Sequence, residues 1–79
     1  MAFNKSFEQF RNEIYQEAED KPYNWRLGQF VFNYVDSVYG VARECQFVHG
    51  IDCFFTNDEN KIDEFIKKSY ELVVEHLTM

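Results

Sequence analysis

The sequence predicts an all-α fold: a small compact bundle of three longer helices and one short helix, built around a central apolar helix. Three observations point there. Apolar residues recur at three- and four-residue intervals in three segments of the 79-residue chain. One Pro and three Gly leave little room for loops. Aromatic residues make up 19% of the chain, and each ring buries on the order of 150–250 Å², so a few of them fill a small interior. At this length the chain, 1–79, reads as a single helical domain.

Ser6 opens the first helix, with Gln9 three residues on in capping-box spacing. Phe7, Phe10, Ile14 and Ala18 then share one apolar face, with Tyr15 at its edge. Arg11 falls between Phe7 and Tyr15 and has two readings. Its stem lies on the core with the guanidinium in water, or it pairs with a carboxylate elsewhere, such as Asp36. Asp20-Lys21-Pro22 ends the helix, because proline cannot continue it and disfavours helical angles at Lys21.

Asn24 is a suitable N-cap for the second helix. At 100° per residue, Leu27, Phe30, Val31, Phe32, Tyr34, Val35, Val38 and Tyr39 cover roughly 220° of its circumference. So wide an apolar arc belongs to a helix enclosed by others. Gly28 lies within the arc, where glycine costs roughly 1 kcal/mol against alanine. Close approach of another backbone is the expected compensation. Arg26, Gln29, Asn33 and Asp36 fill the remaining arc as a thin polar seam, with Ser37 and Gly40. Buried, the seam would hydrogen-bond internally and fix how helices dock; exposed, it would be a recognition line. With Trp25 these four residues form the candidate interaction set. Gly40 then stops the helix.

Val41 to about Phe47 makes the short helix, with Val41, Cys45 and Val48 on one side, and Gly50 breaks it. Ile51 to Phe55 is an apolar pentad that fits either an extended segment or a single turn. Thr56 with Glu59, or Asn60 with Asp63, offers an N-cap for the last helix. Ile62, Phe65, Ile66, Leu72, Val73 and Leu77 share its apolar face, with Ser69 and His76 in the middle and expected to be partly buried. Trp25, Phe47, Tyr70 and Val74 fall outside or at the edges of the apolar arcs and could anchor a partner.

Cys45, His49, Cys53 and His76 are the complete set of thiols and imidazoles, and two of each could complete a tetrahedral zinc site. Their spacing lacks the close pairs of finger-type sites. The competing reading is two buried cysteines acting as small hydrophobes and a core histidine. No metal or other cofactor is therefore assigned. Asn57-Asp58-Glu59-Asn60 and Asp63-Glu64 lack the central glycine and ligand alternation of a calcium loop, and read as a solvated, helix-capping acidic turn. No glycine-rich phosphate loop, nucleophile elbow or H-E-x-x-H motif occurs. Cys53 and His76 are conceivable as a nucleophile pair, but both are expected to be buried rather than set in an electropositive cleft. No catalytic residues are assigned, and the expectation is a protein that is not an enzyme.

Fourteen acidic against eight basic residues give a net charge of −6. That disfavours nucleic acid, whose phosphates call for clustered Lys and Arg, and suits a basic protein partner. Without a charged leader or an apolar run near 18 residues, the expectation is a cytoplasmic chain with no membrane segment.

Arg26-x-Gly28-Gln29-x-x-Phe32-Asn33, then a short helix, then Ile51 to Phe55 and a late Ile62-x-x-Phe65, resemble a group of short uncharacterised proteins common in bacteriophages, prophages and bacterial genomes. Their recurring pattern is R-x-G-Q-x-x-F-N, followed by an acidic residue, P-F-Y and an acidic turn. The resemblance covers roughly Trp25 to Phe65, with Cys53 where the group often has Pro and Phe55 where it often has Tyr. It implies a small accessory protein of a mobile element and carries over no chemistry.

The functional expectation is a small acidic protein-interaction module whose partner is another protein. In a sharper form it is an inhibitor occupying a basic nucleic-acid-binding site. A metal-stabilised domain and a self-assembling homo-oligomer are the alternatives.

Overall fold

α1 (Phe7–Ala18) begins with the reciprocal bonds of a capping box: Ser6 Oγ accepts from the Gln9 N–H at 3.1 Å, and Gln9 Oε1 accepts from the Ser6 N–H at 2.8 Å. The computed structural model describes residues 3–78. Phe10, Ile14 and Ala18 turn inward, and Phe7 and Tyr15 pack half-buried beside them.

α2 (Leu27–Val38) starts three residues after Asn24, which is exposed and does not cap it. Its cap comes from another part of the chain. The Leu27 N–H donates to Asn57 Oδ1 at 2.9 Å, and the Gly28 N–H donates to the Thr56 carbonyl at 3.0 Å. Gly28 provides the expected close approach: a Cβ there would lie 1.7 Å from the Cys53 carbonyl oxygen. At the other end Gly40, at φ +73°, takes the left-handed turn that releases the chain into α3 (Ala42–Phe47).

Val41, Ala42 and Cys45 are buried, but Val48 follows the end of α3 and points outward. Gly50, at φ +69°, redirects the chain into an irregular segment, 51–58, the pentad being neither strand nor helix. Asp58, rather than Thr56 or Asn60, caps α4 (Glu59–Thr78): its carboxylate accepts from the Asn60 N–H at 3.0 Å. Thr56 acts one step earlier, its hydroxyl accepting from the Asp58 N–H at 3.0 Å.

The fold is all-α, three longer helices and one short one. Ile62, Phe65, Ile66, Ser69, Leu72 and Val73 form the buried face of α4. α2 touches all three other helices as predicted, but so does α4, and among the described residues α1 and α3 do not meet. The centre is therefore an α2–α4 pair flanked by α1 and α3. Its radius of gyration, 11.8 Å, matches the value of about 11.6 Å for a folded domain of this length. Among the described residues no helix is long and apolar enough to cross a membrane.

Candidate functional site

α2, α3 and the 51–58 segment converge on a shallow cleft of about 370 Å³ lined by Phe32, Arg43, Gln46, Phe47, Phe54 and Phe55. A local turn splits its two neighbouring phenylalanines. Asp52 Oδ1 accepts from the Phe54 N–H at 3.0 Å, and the Cys53 carbonyl accepts from the Thr56 N–H at 3.2 Å. Phe54 thereby faces Phe32 edge-on, ring centroids 5.5 Å apart, while Phe55 stands outside, 4.9 Å from Phe54. Phe55 remains 74% exposed, Phe47 across the cleft 77% and Val48 71%. The two phenylalanines are large apolar side chains left in water at one place.

The polar seam runs beside the cleft. Gln29 and Asp36 are three and four residues from Phe32, hence its helical neighbours, and Asn33 stands next to both along the seam. The seam is not sealed inside: Arg26 is exposed, and Gln29, Asn33 and Asp36 are half-buried, as is Trp25. Asp36 does not meet Arg11. It lies 3.8 Å from the Nε of Arg43, on the cleft rim. Periodicity could not place Phe55 here, since it lies outside a helix. The available signal was the turn-forming pair Asp52 and Thr56, which forces adjacent residues of the pentad to opposite sides. Tyr70, assigned to the surface, is half-buried against Phe3, Phe7 and Phe10, and its hydroxyl donates to the Lys5 carbonyl at 2.7 Å.

Elsewhere, polar groups tie helices together. Arg11 grips Asp63 of α4 with two bonds, 3.0 and 3.2 Å, while the Tyr15 hydroxyl donates to the same carboxylate at 2.7 Å. Burial pulls the Asp63 carboxyl upward, but the bonds from Arg11 and Tyr15 outweigh it and hold it below its usual range. Glu13 is a second hub, ion-paired with Lys5 and accepting from Tyr34 at 2.6 Å and Tyr39 at 2.8 Å. Burial raises its carboxyl too, and those three donors together lower it further. The acidic turn is likewise occupied in building the fold: Asn57 caps α2, Asp58 caps α4 and Asp63 holds Arg11.

The four thiols and imidazoles do not assemble. Cys45 and Cys53 are buried, whereas His49 and His76 are exposed. Among the described residues no group of three or more His, Cys, Asp or Glu side chains could hold a metal ion. His76 stays on the side of α4 that carries Val73, but that side is open to solvent near the end of the helix, where Nε2 lies 2.9 Å from Glu44 Oε1 of α3. The pair rims a second cleft, of about 500 Å³, walled by Phe3, Val38, Tyr39 and Val73 among others. Burial pushes the Cys45 thiol up to about 11 and the Cys53 thiol higher still, the reverse of what a nucleophile needs.

No family model matches the chain, and searches of curated proteins and of solved structures likewise found no match.

Proposed function

We propose that the chain is a small acidic, non-enzymatic protein-interaction module of the cytoplasm that works through the Phe47–Phe55 cleft. The supporting observation is the pairing of two phenylalanines, each about three-quarters exposed, across a cleft floored by Phe32 and Phe54. Aromatic rings beside a desolvated pocket are where interface energy concentrates. The seam of Gln29, Asn33 and Asp36, continuing toward Arg26 and Trp25, supplies the hydrogen-bonding rim that orients a partner. The likeness of the Arg26–Asn33 motif to phage and prophage proteins supports a place among mobile-element accessory proteins.

The test compares the immobilised chain with its Phe47→Ser, Phe55→Ser double variant, after circular dichroism has shown equal melting. A protein retained by the parent, competed off by free parent and lost from the variant supports this function. Equal retention by both would remove the cleft from it.

A further inference from the structure

We infer, resting on the interaction reading above, that the occupant of the Phe47–Phe55 cleft is a second copy of this chain, docked about a two-fold axis. A two-fold interface needs a patch that is its own complement, because each residue pair occurs twice with the roles exchanged. This patch carries both members of each pair. It has a cavity of about 370 Å³ and, on its rims, the exposed rings of Phe47 and Phe55 to fill the cavity of another copy. It also has a cation beside an anion. The Arg43 side chain is 77% exposed and only loosely held, its Nε 3.8 Å from Asp36 Oδ2, so its remaining N–H groups can take the Asp36 carboxylate of a facing copy.

Charge favours this face over the others. Two chains of net charge −6 repel, yet the residues that line the cleft include one arginine, Arg43, and no acid, with Asp36 and Asp52 beside it and Arg26 farther along the seam. Most of the fourteen acidic residues therefore lie outside the cleft, so this face carries less of the repulsion than the rest of the surface. Phenylalanine and arginine with few acids is also the composition that interfaces favour. The area suffices for a modest dimer. Each exposed ring offers roughly 150 Å². With Phe54 and the stems of Arg43 and Gln46, the apolar part approaches the roughly 450 Å² found in about 800 Å² per partner.

Sedimentation equilibrium of the parent chain is the first test. The mass should rise from 9.6 kDa toward twice that value as concentration increases, with affinity unchanged or tighter in added salt. Phe47→Ser should weaken the dimer at least tenfold. Arg43→Asp and Asp36→Arg alone should each weaken it, since each sets like charges together across the axis. An equimolar mixture of the two should dimerise tightly again, because R43D facing D36R pairs opposite charges in both places. A chain that stays monomeric throughout, or a mixture no tighter than its components, would overturn the second-copy occupant. In that event, loss of a different captured protein on Phe47→Ser would still uphold the interaction surface. Retention of every captured protein would remove that as well.

Discussion

Gly28 and Cys53 are packed so closely that the Cys53 carbonyl oxygen occupies the space of a Gly28 side chain, 1.7 Å from where a Cβ would stand. The Cys53 thiol also reaches back, 3.4 Å from the Gly28 carbonyl. Gly28→Ala gains helix propensity but must displace backbone, and the displacement pulls Thr56 and Asn57 away from the N–H groups they satisfy. A net destabilisation of about 2–3 kcal/mol is expected. In a domain of this size that lowers the melting temperature by roughly 10–20 °C, measurable by circular dichroism. An unchanged melt would mean that the 51–58 segment yields freely.

Ser69 presents the opposite case. Its hydroxyl is fully buried, and among the described residues its polar neighbour is the Cys45 thiol, a weak partner. Ser69→Ala removes a poorly satisfied polar group and leaves almost the same shape, so the chain should gain about 1 kcal/mol. A melting temperature higher by roughly 4–8 °C is the expected readout. A lower one would show that the hydroxyl has a partner, such as a buried water.

The pH dependence follows from the two hubs. Glu13 and Asp63 are held below their ordinary values of 4.5 and 3.8, so the folded chain keeps them ionised where the unfolded chain takes up protons. Their stabilisation is complete above about pH 5 and is lost as pH falls through those values and below. The sign reverses for Tyr15 and Tyr34. Burial first, then the carboxylates they bond, raises both phenols well above the ordinary 10.0, so their contribution is whole below that pH and is lost as pH climbs past it. Urea midpoints should therefore fall at both ends of the scale. Glu13→Gln with Asp63→Asn should flatten the acid limb, and an acid limb as steep as the parent's would contradict the assignment.

Cys45 and Cys53 should be inert in the native state. Both are buried and both thiols are raised by desolvation, Cys45 to about 11 and Cys53 further. A disulfide reagent at neutral pH should label them only as fast as the chain opens, and the two together where unfolding is two-state. Early labelling of Cys53 alone would show that the 51–58 segment detaches before the helices separate.

What the sequence made legible was local. The capping box at Ser6 needs residues three apart, Gly40 needs a helix end, and Gly28 announces a close neighbour without naming it. What escaped was supplied from a distance. Asn24 had the chemistry of a cap, but Asn57, 30 residues after Leu27, does that work because the chain brings it to the mouth of α2. His76 fell on an apolar face by periodicity, yet no helix covers that face near the end of α4, and the histidine meets Glu44 of α3 at the surface. The candidate cleft escaped for the same reason: Phe47 stood out beside a helix pattern, whereas Phe55 belongs to no periodic element and is placed by one turn.

The borrowed cap has a consequence for synthesis. A ribosome releases Leu27 and Gly28 long before Thr56 and Asn57, so the nascent α2 must wait with its first amides bare to water. Chain fragments ending before residue 53 should show a frayed start to this helix. The molecule is then completed late and all at once, when the 51–58 segment folds back and closes the first turn of a helix that elongated some thirty residues earlier.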